Sequence, residues 1–259
     1  MDLEPEPLRR RYGLCRVGFG LAGVALLLLA ADLALHILIH LIRLTSGRTP
    51  EWAWIVLTDG WAWLVGAPIT WLSLIGTYLL WGRWSEPSWQ RRAGLLVVLN
   101  LCDLLFWGLT HAEKAGIGGM GLADDWFLSN LSRSFGWAEL ALTASLAADL
   151  GSHLGSKRAA EAGRATRSLV ATAAMLWFFL FCNETAWDRG WPLVRAPLND
   201  LGTYAMIIGI IGLQAMASLQ VAGLCFAASR ECGRLLGELG REGEDDPLLV
   251  SRSEHADMS

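Results

Sequence analysis

The chain has 259 residues, of which 53% are hydrophobic and only 18% charged, with 14 tryptophans and a mean hydropathy of +0.38. That balance excludes an ordinary soluble domain. Five cysteines without a C-x-x-C pair argue against a disulfide framework, and no nucleic-acid signature accompanies the net charge of -4.

A bilayer core about 30 Å thick requires roughly 20 mostly apolar helical residues per crossing. Six runs meet this need: Leu14 to Ile42, Trp61 to Trp81, Ala93 to Thr110, Phe135 to Leu154, Ser168 to Cys182 and Leu201 to Ala227. The fifth continues through Asn183 and Glu184 to Trp187. The expected fold is therefore all-α, a polytopic bundle of six membrane-spanning helices over residues 14–239. A basic segment, residues 1–13, precedes it, and a polar tail, residues 240–259, follows with no apolar period to bury and is expected to be disordered. Although "RRRYG" before the first run resembles a signal start, the apolar stretch is about twice the length of a signal core, so the helix is expected to be retained.

The first helix carries "DLALHILIH". At about 100° per residue, Asp32, His36 and His40 fall within an arc of about 80°, and the same stripe collects Leu29, Ala25, Ala22 and Gly18. Small residues suit close helix contacts in lipid, while Leu27, Leu38 and Leu41 lie opposite. The acid and the histidines are thus expected to face the bundle. On the second helix, Trp52, Trp54, Trp61 and Trp63 cluster at the outer end as an aromatic belt. Pro68 can kink this helix, free a carbonyl and open a cavity.

The third helix repeats the pattern in "NLCDLLFWGLTH". Asn100, Asp103, Trp107 and His111 share one face, with Val98, Leu105 and Leu109 across from it. Asp32 and Asp103 each lie eight residues deeper than an outer histidine, roughly 12 Å along the axis. Glycines in "AGIGGMGLADDW" suggest an outer loop or lid. On the fourth helix Glu139 lies near the outer end, and Thr143, Ala147, Gly151 and Gly155 form a packing stripe. Asn183 and Glu184 close the fifth helix. Asn199 and Asp200 are placed to cap the sixth, from which Gln214, unlike Gln220, can reach the same interior.

Basic residues orient the bundle. With the N-terminus inside, inner segments hold 15 of the 21 Lys and Arg and outer segments six, so both termini are expected in the cytoplasm and the protein in the cell (inner) membrane.

A charged side chain at mid-bilayer costs about 2.5 to 3.5 kcal/mol even on lenient insertion scales. Asp32, His36, Asn100, Asp103, Glu139 and Glu184 are accordingly expected to share an outward-facing polar cavity for proton- or cation-linked transport or sensing. An alternative is a membrane enzyme that binds a transition metal or haem through Asp32, His36, His40 and His111, using the i, i+4 spacing of paired histidines. A third is an accessory subunit of a membrane complex. The expected partners are the lipid bilayer and, on that third reading, other membrane subunits, with no nucleic acid. Carboxylates spread over several helices favour the transport or sensing reading, since a metal needs few ligands in one compact geometry.

Overall fold

The computed structural model describes residues 5–57, 59–81, 86–114, 126–154, 157–188 and 200–244. Helix α1, Pro5–Ser46, runs through the leucine-rich first segment without an interior proline. It ends where Gly47 takes a φ of 67° and its N–H donates to the Arg43 carbonyl at 3.0 Å; a left-handed residue here is what glycine supplies at helix C-termini.

Two short turns, α2 (Ala53–Val56) and α3 (Asp59–Trp61), lead into a π-helical turn at Ala62–Gly66 and then α4, Ala67–Leu80. Pro68 lies in the first turn of α4. Its missing N–H cannot serve the carbonyl four residues back, and the chain absorbs the defect as a widened turn rather than a sharp break. Trp81 turns extended, and the indole of buried Trp89 donates to the orphan Leu80 carbonyl at 3.1 Å. Four long helices follow: α5 (Pro87–Lys114), α6 (Trp126–His153), α7 (Lys157–Asp188) and α8 (Asp200–Glu244).

The second segment runs antiparallel to α1, and α6 antiparallel to α5. The cross-contacts descend in register: Gly18 of α1 meets Gly76 of α4 and Asp32 of α1 meets Trp61 of α3, while Arg92 meets Asp149 and Phe106 meets Phe135 between α5 and α6. Helix α8 returns along α1, with Ser229 Oγ donating to the Arg16 carbonyl at 2.8 Å and Arg9 to the Leu239 carbonyl at 2.9 Å.

Among the described residues, four helical stretches are long and apolar enough to cross a membrane: Leu8–Ser46, Trp63–Leu80, Pro87–Leu109 and Ile208–Arg241. The expected fourth and fifth runs fall on α6 and α7, which pack on each other and on α8. Leu27, Leu38, Val98 and Leu105 are exposed, as their positions opposite the polar stripes imply. The helix ends differ from the sequence reading: α8 extends five residues into the segment expected to be a tail. Just before that segment Arg234 pairs with Glu231 and Glu238, contacts one turn apart that support a helix in water. Residues 245–259, the remainder of that tail, and the glycine-rich loop 115–125 lie outside the described residues.

The half of the bundle that holds the N-terminal part of α1 is a hydrophobic core. Phe19 of α1, Leu80 of α4, Leu96 of α5, Leu150 of α6 and Val221 of α8 are all fully buried there.

Candidate intramembrane site

Above that core a cavity of about 260 Å³ opens between α1, the π turn and α4, α5, α6 and α8. Its α1 wall is the stripe Ala22, Ala25, Leu29 and Asp32; Gly66, Thr70 and Ser73 come from the second membrane segment, Asn100 and Asp103 from α5, Glu139 and Thr143 from α6, and Gln214 from α8. The wall follows helical periodicity: positions three and four apart stay on one face. On α4 it begins at the π turn, where the chain is wider.

Asp32 is held from the second segment. The Trp61 indole N–H donates to Asp32 Oδ1 at 2.8 Å, a charge-assisted bond when the carboxyl is ionised. Asn100 is 2% exposed, and its amide nitrogen donates to the Leu96 carbonyl at 2.9 Å. Thr70 likewise gives its hydroxyl proton to the Gly66 carbonyl at 3.0 Å. Glu139 Oε1 is closed to solvent and meets no hydrogen-bond donor among the described residues. Asp103 is near enough to act on the Glu139 carboxyl electrostatically. No Lys, Arg or His appears among the lining residues.

Of the residues expected in a shared site, Asp32, Asn100, Asp103 and Glu139 line this one cavity, and Gln214 joins them. His36 does not. Its Nδ1–H donates to the Asp32 carbonyl of its own helix at 2.9 Å and lies 3.7 Å from Asp32 Oδ2, so it contacts the cavity acid without forming the wall. His40 is half-buried, also off the wall. The side chains of His111 and Glu184 lie outside the described residues.

Among the described residues, which leave out the His111 side chain of the alternative ligand set, no three His, Cys, Asp or Glu side chains converge as a metal ion requires. The spacing of His36 and His40 permits two ligands; the His36 Nδ1–H donates to its own helix's backbone, which leaves Nε2, and the Trp61 indole is the group that reaches Asp32 from the second segment.

Trp61, expected in the aromatic belt, is also a partner of Asp32. An antiparallel register in which the start of the second helix meets the outer part of the first is the signal that finds it. Trp52, Trp54 and Trp63 are exposed, as belt residues are. Trp63 also stands edge-on to Trp107, with ring centroids 4.5 Å apart, and Trp107 closes against Gly66, where a Cβ would meet its Nε1 at 3.3 Å.

Comparison with protein-family models, with curated proteins and with solved structures finds no match.

Proposed function

We propose that this chain is a six-span protein of the cell (inner) membrane, with both termini in the cytoplasm, whose outward-facing cavity serves proton- or cation-linked transport or sensing. The single observation that carries the reading is the wall itself: Asp32, Asp103 and Glu139 from three helices, with Asn100 and Gln214, around one space with no basic side chain among the lining residues. Ionisable residues that face the interior of a membrane bundle are costly and mark ion or proton pathways. The packed core beneath supports a cavity reached from the outer side, since Phe19, Leu80, Leu96 and Val221 fill the inner half. The 15 to 6 distribution of basic residues supports the orientation.

The test uses the full chain in proteoliposomes, with a trapped pH dye for proton movement and tryptophan emission for a conformational response to pH or added cation. A response in at least one readout is expected, reduced about tenfold or more by Asp32→Asn and Asp103→Asn. Silence in both, or responses unchanged in the two variants, would overturn the proposal.

A further inference from the structure

We infer that the seam between α1 and α8, at the membrane surface where α1 begins and α8 ends, binds an anionic phospholipid, its phosphate held by Arg9 and Arg16 and an acyl chain lying inward along the seam. The surface is separate from the cavity and independent of the function proposed for it. Three observations lead there. The first is where the two guanidinium groups lie. Arg9 donates from Nη2 to the Leu239 carbonyl at 2.9 Å, and a Cβ on Gly240 would meet that nitrogen at 3.5 Å. About two turns further along α1, Arg16 rests on Gly233, where a Cβ would meet its Nε at 3.3 Å and its Cζ at 3.5 Å. Bare backbone at positions 233 and 240 thus lets both groups lie across α8 on one side of the helix pair.

The second is charge. Arg9, Arg10 and Arg16 are exposed, and among the described residues no carboxylate pairs with these three or with Arg11. Glu231 and Glu238, at the same end of α8, pair with Arg234 of their own helix instead. Arg9 has spent one of its N–H groups on Leu239, and the planar fork of a guanidinium offers further donors in the geometry that phosphate oxygens accept. Basic groups at a membrane surface attract anionic headgroups, and basic sites between helices at that level hold them.

The third is what continues inward. The same antiparallel register brings Ser229 to the Arg16 carbonyl and to Gly20, then Phe226 to Gly23. Arg9, Arg16, Gly20, Gly23 and Leu27 fall within an arc of about 60° on α1, and Leu27 and Leu219, the latter two turns inward of Phe226, are exposed. From Arg16 to Leu27 is about 16 Å along the axis at about 1.5 Å per residue, close to one leaflet's share of a hydrocarbon core about 30 Å thick. A free phosphate would use only the arginine end of this surface. A phospholipid uses all of it.

The experiment uses the full chain in neutral detergent and three probes at matched ionic strength: dioctanoyl phosphatidylglycerol, dioctanoyl phosphatidylcholine and sodium phosphate. Binding is read by native mass spectrometry of retained lipid and by the thermal unfolding midpoint. Saturable phosphatidylglycerol binding is expected, at least tenfold tighter than that of phosphatidylcholine, with no response to phosphate. Arg9→Gln/Arg16→Gln should weaken it at least tenfold, whereas Arg164→Gln/Arg167→Gln, which removes the same charge from the first turns of α7, should leave it unchanged. Equal affinity for the two lipids, equal loss in both double variants, or a matching response to phosphate would overturn the inference. Binding that emerges only in Asp245→Asn/Asp246→Asn would put the chain's own acidic tail on the seam and overturn it as well. The comparison of lipids on the unsubstituted chain decides the matter even where a double variant fails to fold, and it reads lipid class whichever way round the chain inserts.

Discussion

Gly76→Ala tests how closely α1 and α4 are apposed. A Cβ at position 76 would meet the Gly18 carbonyl oxygen at 2.8 Å and the Ala22 nitrogen at 2.9 Å, and one at position 18 would meet the Gly76 carbonyl oxygen at 2.8 Å. These are backbone atoms, so no side-chain rotation relieves the clash. Ordinary contact begins at 3.4 Å, and the helices must part by about 0.6 Å. Overpacking of this kind costs about 1 to 3 kcal/mol, and the helix-forming advantage of alanine over glycine offsets up to about 1 kcal/mol. Gly223→Ala on α8 supplies the control, because nothing lies within 4 Å of its added Cβ. Both variants share the helix-forming gain, so their difference isolates the steric cost. Gly76→Ala should be the less stable by about 1 to 3 kcal/mol in denaturant unfolding in micelles. Gly18→Ala should be non-additive with it, since one displacement relieves both. A Gly76→Ala protein as stable as Gly223→Ala would refute the close contact.

Trp61→Phe removes the donor to Asp32 Oδ1 and should destabilise by about 1 to 3 kcal/mol; the loss should largely disappear in an Asp32→Leu background, and full additivity in the four-variant cycle would count against the bond. Arg92 donates to Asp149 and to Ser145, its side chain 28% exposed and that of Asp149 26% exposed. Allowing for that partial screening, Arg92→Met should cost about 1 to 2 kcal/mol in the same unfolding assay, and Asp149→Asn in that background should recover part of it. Cysteines introduced at Glu86 and near Arg241 should label only from the cytoplasmic side, and one at Trp54 only from outside; labelling of both ends from outside would invert the proposed orientation.

The cavity acids were readable on α1 and α5 because a single amphipathic helix contains its own answer. Val98 and Leu105 face outward while Asn100 and Asp103, on the other face, line the cavity, and the 3.6-residue period separates them without knowledge of any neighbour. Leu27 and Leu38 against Ala25 and Asp32 divide α1 in the same way. Pairings between helices were not readable. That Trp61 serves Asp32 depends on the register of two helices joined by irregular turns, and that α8 lies along α1 depends on the closure of the whole bundle. His36 shows why an arc on a helical wheel is a weak guide for a histidine: at i, i+4 its ring reaches its own helix's carbonyl as readily as it reaches inward. Pro68 announced a defect, but whether the chain kinks or widens into a π turn depends on what packs there, here Trp107 against Gly66.

The pairing of α1 with α8 has a consequence for synthesis. Phe19 and Cys15 of α1 are buried in the core to which Val221 and Cys225 of α8 belong, and Gly23 lies against the Phe226 ring. About 200 residues separate the end of α1 at Ser46 from the end of α8 at Glu244. At roughly 5 to 20 residues per second, α1 leaves the ribosome some 10 to 40 s before its longest partner is complete. During that interval the glycine and alanine face of α1 must be covered by α4 alone, by lipid or by the insertion machinery. Nascent chains stalled before Asp200 should therefore remain vulnerable to membrane proteases until translation resumes.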